Sequence, residues 1–182
     1  MNKMFLIVGE SGSGKDSLTN KVCKELNMKQ VISYTTRPQR KDEGNTHIFI
    51  KPEEARDYIN EYAAYTQIGE IEYFTTLKQL LSGEYQFYII DPNGVKYLKD
   101  KVKNIKFVTI FIYVDRSTRL KRTRLRGDDE ETIVQRFWAE YEQFKEFKND
   151  VNFDYMINNY NFNTAYEILK QIIMIEDLGD NE

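Results

Sequence analysis

The sequence predicts an α/β fold in which a five-stranded parallel sheet is flanked by helices on both faces. Short apolar runs rich in β-branched and aromatic residues alternate with segments of helical spacing, which is the pattern of strands buried on both sides. The five runs lie at 4–8, 31–34, 86–91, 107–114 and 153–157. A chain of 182 residues is long enough for a single domain with a sizeable core.

The helices are predicted from the spacing of apolar residues between these runs. Val22 and Leu26 lie four apart shortly after the first strand. Two longer stripes with a period near 3.6 indicate helices in the second half of the chain. The first stripe consists of Ile133, Val134, Phe137, Trp138, Tyr141 and Phe144, and the second of Ala165, Ile168, Leu169, Ile172 and Ile173.

Two segments interrupt the alternation, and we interpret them as insertions within one domain spanning 1–182. Segment 35–83 is long, tyrosine-rich and only partly periodic, and segment 116–137 begins with a densely charged run. The core is then predicted to comprise the rest of the folded chain, at 1–34, 84–115 and 138–176.

Composition excludes several classes of protein. The chain is 41% hydrophobic and its charged residues, 30% of the total, have mixed sign, so a folded protein is expected rather than a disordered one. A net charge of −3 argues against a general nucleic-acid binder. No run reaches the roughly 18 apolar residues of a membrane span. The one cysteine, Cys23, cannot form an internal disulfide, which fits a cytoplasmic location.

A phosphate-binding loop is predicted between the first strand and the first helix. Gly9, Gly14 and Lys15 have the spacing G-x-x-x-x-G-K, and the strand–loop–helix context is the one that this motif requires. Glycines let successive N–H groups point at one phosphate, and the helix N-terminus adds its positive dipole end. The predicted ATP-binding residues of the loop are Gly9, Ser11, Gly12, Ser13, Gly14, Lys15, Asp16 and Ser17.

The group that would hold a metal in this loop is ambiguous. A hydroxyl residue is expected directly after the lysine, but Asp16 stands there and Ser17 follows. Ser17 could bind Mg²⁺ from the next position while Asp16 points outward. Alternatively, Asp16 could bind the metal as a carboxylate or could repel phosphate. The loop residues alone leave these alternatives open.

A second phosphate site is suggested by Arg37 and Arg40, which lie three apart after a predicted strand. Planar guanidinium groups bind phosphate bidentately, so the pair suits a second phosphate group. With this motif the chain resembles, over nearly its whole length, the guanylate kinase family of P-loop nucleoside monophosphate kinases. The matching residues are Ser33, Thr35, Thr36, Arg37, Arg40 and Glu43.

The resemblance implies a role for each part of the chain. Segment 35–83 would bind the monophosphate, and segment 116–137 would form a lid over the donor. The implied monophosphate-binding residues are Ser33, Arg37, Arg40, Glu43, His47, Tyr73, Thr75 and Asp91. The implied catalytic residues are Lys15, Arg122, Arg126 and Arg136. Asn158 would contact the adenine of ATP, while Ser17 and Asp91 would hold Mg²⁺.

The implied reaction is transfer of the ATP γ-phosphoryl group to a nucleoside or deoxynucleoside monophosphate, in the first place GMP or dGMP. Mg²⁺ is the implied cofactor. No general base is needed, because the acceptor is already an ionised phosphate and catalysis depends on positioning and charge neutralisation. The expected partners are small-molecule nucleotides, with neither nucleic acid nor membrane, and the expected assembly is a monomer or a homodimer.

The acceptor site departs from the family pattern in two places. His47 falls where the family has a phosphate-binding Tyr, and Ala64 falls where we expect a Glu that reads guanine. Losing a buried acceptor would weaken the preference for guanine, although Glu61, Glu70 or Glu72 could replace it. Two alternatives follow: a kinase for a non-guanine monophosphate, and a catalytically inactive module that binds phosphopeptides.

Overall fold

The structure, a computed structural model, describes residues 2–39 and 46–178. In chain order the strands are β1 (Asn2–Val8), β2 (Tyr34–Thr35), β3 (Ile48–Phe49), β4 (Tyr62–Ile68), β5 (Ile71–Thr76), β6 (Phe87–Ile89), β7 (Ile105–Tyr113) and β8 (Tyr155–Asn158). The α-helices are α1 (Lys15–Leu26), α2 (Pro52–Ala55), α3 (Leu77–Leu81), α4 (Pro92–Lys101), α5 (Arg116–Leu125), α6 (Glu130–Asn149) and α7 (Phe162–Leu178). A short 3₁₀ helix occupies Arg56–Tyr58.

The core sheet is parallel, with strand order β6-β1-β7-β8. Side chains alternate across β1, as they do along any strand. Phe5 and Ile7 pack with residues of α1 and α7 on one face. Met4 and Leu6 pack with residues of α4 and α6 on the other. The α/β fold with helices on both faces is therefore confirmed.

The prediction of a fifth core strand at 31–34 is wrong. Next to β6 this part of the chain adds only one isolated parallel bridge, from Gln30 to Phe87. Beyond it, the carbonyl of Ile32 accepts a bond from the Gln79 side chain, and the carbonyl of Ser33 accepts one from the Ile48 N–H. Because these backbone groups find partners outside the core sheet, the chain turns away from it and enters β2.

A second, mixed sheet has the strand order β3-β2-β5-β4, and it is built within the segment predicted to be an insertion. One face is aromatic: the Phe74 ring stacks on Tyr34 at 5.1 Å and lies 4.5 Å from Tyr62. Cross-strand partners on the opposite face are Thr35 with Tyr73 and Thr66 with Tyr73. The aromatic face supplies a small core of its own, which leaves the polar face available for a ligand.

The apolar stripe predicted for α6 is only half buried. Ile133, Phe137 and Phe144 are buried, whereas Val134 and Trp138 are exposed. The stripe is wider than the surface that α6 shares with the sheet and with α5, so the residues along its margin face outward. No helix in the described part of the chain is long and apolar enough to cross a membrane.

Candidate active site

The phosphate loop connects β1 to α1, as the motif requires. Gly12 and Gly14 have φ values of 82° and 84°, in the left-handed region that favours glycine. A Cβ atom on Gly14 would lie 2.5 Å from Nδ2 of Asn159, and one on Gly12 would lie 2.8 Å from the Arg119 carbonyl oxygen. The loop is therefore fixed both by its backbone conformation and by close contact with two neighbouring segments.

Lys15 and Asp16 form an ion pair at the start of α1, with Nζ 3.3 Å from Oδ2. The Asp16 side chain is 67% exposed, and Ser17 beside it is also exposed. The charge of Lys15 is the main cause that lowers the pKa of Asp16, and the charge of His47 lowers it further. Asp16 thus partly neutralises the lysine, and His47, from the predicted acceptor site, lies within electrostatic reach of the loop.

A buried charge network supports the first half of the loop. The Arg119 guanidinium is 2.9 Å from the Glu10 carboxylate, which also pairs with Lys148 at 2.7 Å. Arg119 donates to the Ser11 carbonyl at 3.3 Å and stacks on the Phe137 ring at 4.4 Å. The sequence analysis gave Glu10 no role, and Arg119 lies in the densely charged run that begins segment 116–137. No spacing signal could have paired the two, because they lie far apart in the chain.

Asn159 and Arg122 support the second half of the loop. Asn159 Nδ2 donates to the Ser13 carbonyl at 2.7 Å, and Arg122 donates to the carbonyls of Asn159 at 2.7 Å and Ser13 at 3.3 Å. The predicted base contact, Asn158, lies next to Asn159 and is exposed at the end of β8. Sequence reasoning missed Asn159. Its side-chain oxygen and the Ser13 hydroxyl are buried without a hydrogen-bond partner among the described residues, as is common at ligand sites.

Two predicted lid arginines share one carboxylate. Arg126 pairs closely with Asp128, and Arg136 Nη1 lies 3.9 Å from the same Asp128 side chain. The hydrogen bond to Asp128 is the main cause that raises the pKa of Arg126, and the charges of Asp16 and Glu140 also raise it. Arg126 therefore stands within electrostatic reach of the phosphate loop.

The predicted acceptor residues that the structure describes gather on the polar face of the second sheet. Ser33 Oγ and His47 Nδ1 are 3.1 Å apart, and the His47 ring meets the Tyr73 ring edge-on at 5.8 Å. These three residues come from before β2, before β3 and from β5, so the pairing of strands brings them together. Their binding roles stay predictions.

The arginine motif is described only in part. Arg37 donates to the Pro38 carbonyl at 2.9 Å, and its guanidinium lies 5.5 Å from the centre of the Phe49 ring. Phe49 is on β3, close to His47 in the chain. Arg40 and Glu43, also predicted for this site, lie outside the described residues.

Position 64 does not open onto a cleft. Ala64 pairs with Thr75 across β4 and β5 and is 1% exposed. It belongs to the apolar cluster that contains Met4 and Leu6 of β1. A glutamate here would bury a charge among apolar side chains, which is strongly unfavourable. Thr75 is buried too, and its hydroxyl donates at 2.9 Å to Gln79, a residue that sequence reasoning missed. The weaker preference for guanine expected from Ala64 stays a prediction.

Asp91 lies at the carboxyl edge of the core sheet, beside the phosphate loop. The pairing of Ile7 with Ile89 brings the ends of β1 and β6 together at this edge. Asp91 Oδ1 caps α4 by accepting the Gly94 N–H at 3.0 Å, and the carboxylate also accepts a bond from Thr66. Burial is the main cause that raises the pKa of Asp91, while these hydrogen bonds oppose the rise.

The donor set fits a magnesium ion that arrives with nucleotide phosphates. Within residues 2–39 and 46–178, no group of three or more His, Cys, Asp or Glu side chains could hold a metal alone. Mg²⁺ usually keeps several waters and needs only one or two protein ligands beside the phosphates of its substrate. The Ser17 hydroxyl and the Asp91 carboxylate meet that requirement chemically.

A phosphate loop on a parallel core, the charged helix α5 whose arginines contact this loop, and an inserted sheet with a polar face define a P-loop kinase of the nucleoside monophosphate class. The family model described as guanylate kinase matches residues 1–176, and the chain belongs to this family of phosphotransferases. The resemblance seen in the sequence is confirmed.

Curated relatives and a solved structure agree with this assignment. The guanylate kinase of Blochmanniella floridana is 32% identical, over 95% of this chain and 86% of the relative. That of Blochmanniella pennsylvanica is 34% identical, over 96% of this chain and 87% of the relative. The crystal structure of guanylate kinase from Anaplasma phagocytophilum has a TM-score of 0.69 at 17% identity, covering 96% of this chain and 86% of that one. The last likeness shows the shared fold.

Proposed function

We propose that this protein transfers the γ-phosphoryl group of ATP to GMP or dGMP and so forms ADP and the guanosine diphosphate. The observation that carries the proposal is that one domain holds a glycine–lysine loop and a polar sheet face, each with groups suited to bind phosphate. The loop around Lys15 and the polar face with Ser33 and Tyr73 lie close enough for His47 to influence Asp16. Nucleotide substrates, together with the single cysteine, fit a cytoplasmic enzyme.

On the donor side, the protein would act mainly by positioning and by neutralising charge. The loop amides and Lys15 would hold the outer phosphates, and Arg126 and Arg136 would stabilise the charge that spreads over the transferred group. Ser17 and Asp91 would hold Mg²⁺, which when bound supplies further charge neutralisation at the β- and γ-phosphates. Arg122 already donates to loop carbonyls, so its contribution would come through the shape of the loop.

On the acceptor side, the 5′-phosphate of the monophosphate would lie among Ser33, Arg37, His47 and Tyr73. Strand pairing brings Ser33, His47 and Tyr73 together. Arg37 follows two residues after the end of β2. Their hydrogen bonds would hold an acceptor oxygen in line with the bond to be broken. Because that oxygen is already ionised, no side chain has to remove a proton.

The structure assigns none of the three acidic residues that could replace a carboxylate at position 64 to the guanine base. Glu72 already accepts the Tyr65 hydroxyl at 2.9 Å, and Glu70 lies in the turn between β4 and β5. Glu61 is exposed immediately before β4, where burial first and then charges including that of Glu61 raise the pKa of Tyr34, a residue of the aromatic face. The preference for guanine is therefore proposed from the family alone.

An acceptor screen tests the function. ADP release would be followed with ATP and each of GMP, dGMP, AMP, CMP, UMP and dTMP. We expect guanine nucleotides to exceed all others by on the order of 100-fold or more in kcat/KM, because a site built to pair with base N–H groups rejects bases that lack them. A preference for another base would overturn the acceptor. Binding of a phosphopeptide without ATP binding or turnover would overturn the enzyme.

A further inference from the structure

Glu140, a residue of α6, binds the phosphate loop directly. Its two carboxylate oxygens each lie 3.0 Å from the Ser11 backbone nitrogen, and one of them accepts the Ser11 hydroxyl at 2.5 Å. The side chain is 18% exposed, so the contact is largely shielded from solvent. Neither the glycine-lysine motif nor the apolar stripe of α6 indicates this contact.

The chemistry of the contact is that of an anion on a phosphate loop. N–H groups in such a loop point at bound anions, and a hydroxyl beside them adds a further donor. A carboxylate that takes both Ser11 donors therefore uses groups that a phosphate oxygen would use. Arg119 does not explain the placement, because its guanidinium is 3.8 Å from Glu140 but 2.9 Å from Glu10.

We propose that Glu140 competes with the terminal phosphate of the donor nucleotide for Ser11, so that its carboxylate stays on the loop until a triphosphate binds. The inference rests on the proposed function of the loop as an ATP site. Two anions cannot share the same donors at close range, so a γ-phosphate at Ser11 displaces Glu140. A diphosphate ends one phosphate earlier and leaves the contact in place.

The consequence is a loop that distinguishes the donor from its product. With ATP bound, the Glu140 side chain is released from Ser11, while Phe144 and Phe147 keep α6 packed on the core sheet. With ADP bound, the carboxylate returns to Ser11. Glu140 is then a specificity-determining residue, since it sets the affinity for triphosphate relative to diphosphate without taking part in the chemistry.

The protein contains its own reporter for the test. Trp138 is the only tryptophan of the sequence, is 71% exposed, and lies two residues before Glu140 on α6. Its fluorescence would be followed as ADP or a non-hydrolysable ATP analogue is added with Mg²⁺, and the affinity for each nucleotide would be measured by calorimetry. Wild type would be compared with Glu140→Gln and with the control Glu142→Gln, whose carboxylate is 70% exposed and lies 3.7 Å from Lys145.

If Glu140 competes with the γ-phosphate, its replacement should change the affinity for the triphosphate and not the affinity for ADP. Glu140→Gln should bind the ATP analogue about 5- to 10-fold more tightly while its affinity for ADP changes by less than about 2-fold, because only the γ-phosphate meets the removed charge. In wild type, the analogue should change the Trp138 signal and ADP should not. Glu142→Gln should match wild type with both nucleotides.

Two results would overturn the inference. If Glu140→Gln weakened the binding of the analogue, or changed both nucleotides equally, Glu140 would be only a structural tether between α6 and the loop. If the wild-type protein bound both nucleotides and the variant matched it, the competition would be absent although the proposed function stood. If the wild type bound neither nucleotide, both proposals would fail. Thermal unfolding of each variant serves as the check on folding.

Discussion

The phosphate loop and the polar face of the inserted sheet are built in different ways. The loop is a short continuous segment whose shape comes from two left-handed glycines and from buried partners such as Arg119 and Asn159. The polar face collects Ser33, His47 and Tyr73 from three separate places along the chain, and their side chains contact one another. Changes around the loop should therefore affect chemistry or stability strongly, and changes on the face should mainly affect the affinity for one substrate.

The largest expected effect is on the donor side. Lys15→Ala should lower kcat by on the order of 1,000-fold, because the ammonium group stabilises charge that develops on the transferred phosphoryl group. GMP binding, measured by calorimetry, should change little. Lys24→Ala, an exposed lysine near the end of the same helix, is the control and should keep full activity. Substantial turnover in Lys15→Ala would remove the loop from the mechanism.

The second effect concerns the stability of the loop's support. Arg119→Ala should lower the free energy of unfolding by about 3 kcal/mol, because Glu10 would lose one partner of a buried ion pair. Arg124→Ala removes an exposed pair with Glu130 and should cost less than about 1 kcal/mol. Urea denaturation of the two variants measures the difference. Equal losses would mean that the buried network does not hold the loop.

The third effect belongs to the polar face alone. Tyr73→Phe should raise the KM for GMP about 5- to 10-fold and leave the KM for ATP unchanged, since one hydrogen bond to a charged phosphate is lost. Tyr65→Phe is the matched control, because that hydroxyl donates to Glu72 instead. Steady-state kinetics with each substrate varied in turn separate the two constants. A rise in the KM for ATP would show that the two sites are not independent.

The smallest effect should come from Asp16. Asp16→Ser removes the carboxylate that pairs with Lys15 and should lower the KM for ATP about 2- to 3-fold, because this exposed pair is screened by solvent. Lys15 lowers the pKa of Asp16, so the carboxylate stays ionised above that lowered value and the pair is lost only as pH falls through it. The ratio of variant to wild type should therefore be constant above about pH 5.

Ser17→Ala distinguishes the possible roles of the two residues. It should reduce activity and raise the Mg²⁺ concentration needed for half-maximal rate, since Ser17 is the proposed metal ligand. If Asp16→Ser showed this loss and Ser17→Ala did not, Asp16 would be the ligand and the favourable effect expected from its removal would be wrong.

The features that could be predicted from the sequence are those determined by residues close together in the chain. The glycine–lysine spacing specifies the loop because the turn, the helix start and the charge all lie within a few positions. The strand at 31–34 was mispredicted because Val31 and Ile32 look like a strand. The choice of sheet, however, depends on the distant groups of Ile48 and Gln79.

Residues that act through tertiary contacts were missed for the same reason. Asn159 and Glu140 reach the loop from β8 and α6, and nothing in their local spacing indicates a partner at Ser13 or Ser11. Buried charge pairs and loop supports become visible only when chain segments far apart in sequence are placed together. The burial of Ala64 likewise depends on tertiary packing, which no residue pattern reports.

The Gln79 side chain has a mechanical consequence for the inserted sheet. The chain leaves the core just before β2 and returns through α3, and Gln79 on α3 holds the outgoing segment through its 3.0 Å bond to Ile32. The two crossings are thus tied to each other by this bond. Strand β4 adds a second connection, because Lys101 of α4 donates to the Tyr62 carbonyl at 3.0 Å and Ala64 is buried in the core. The inserted sheet is therefore anchored to the core at more than one place, so that the folded core itself sets the distance between the polar face and the phosphate loop.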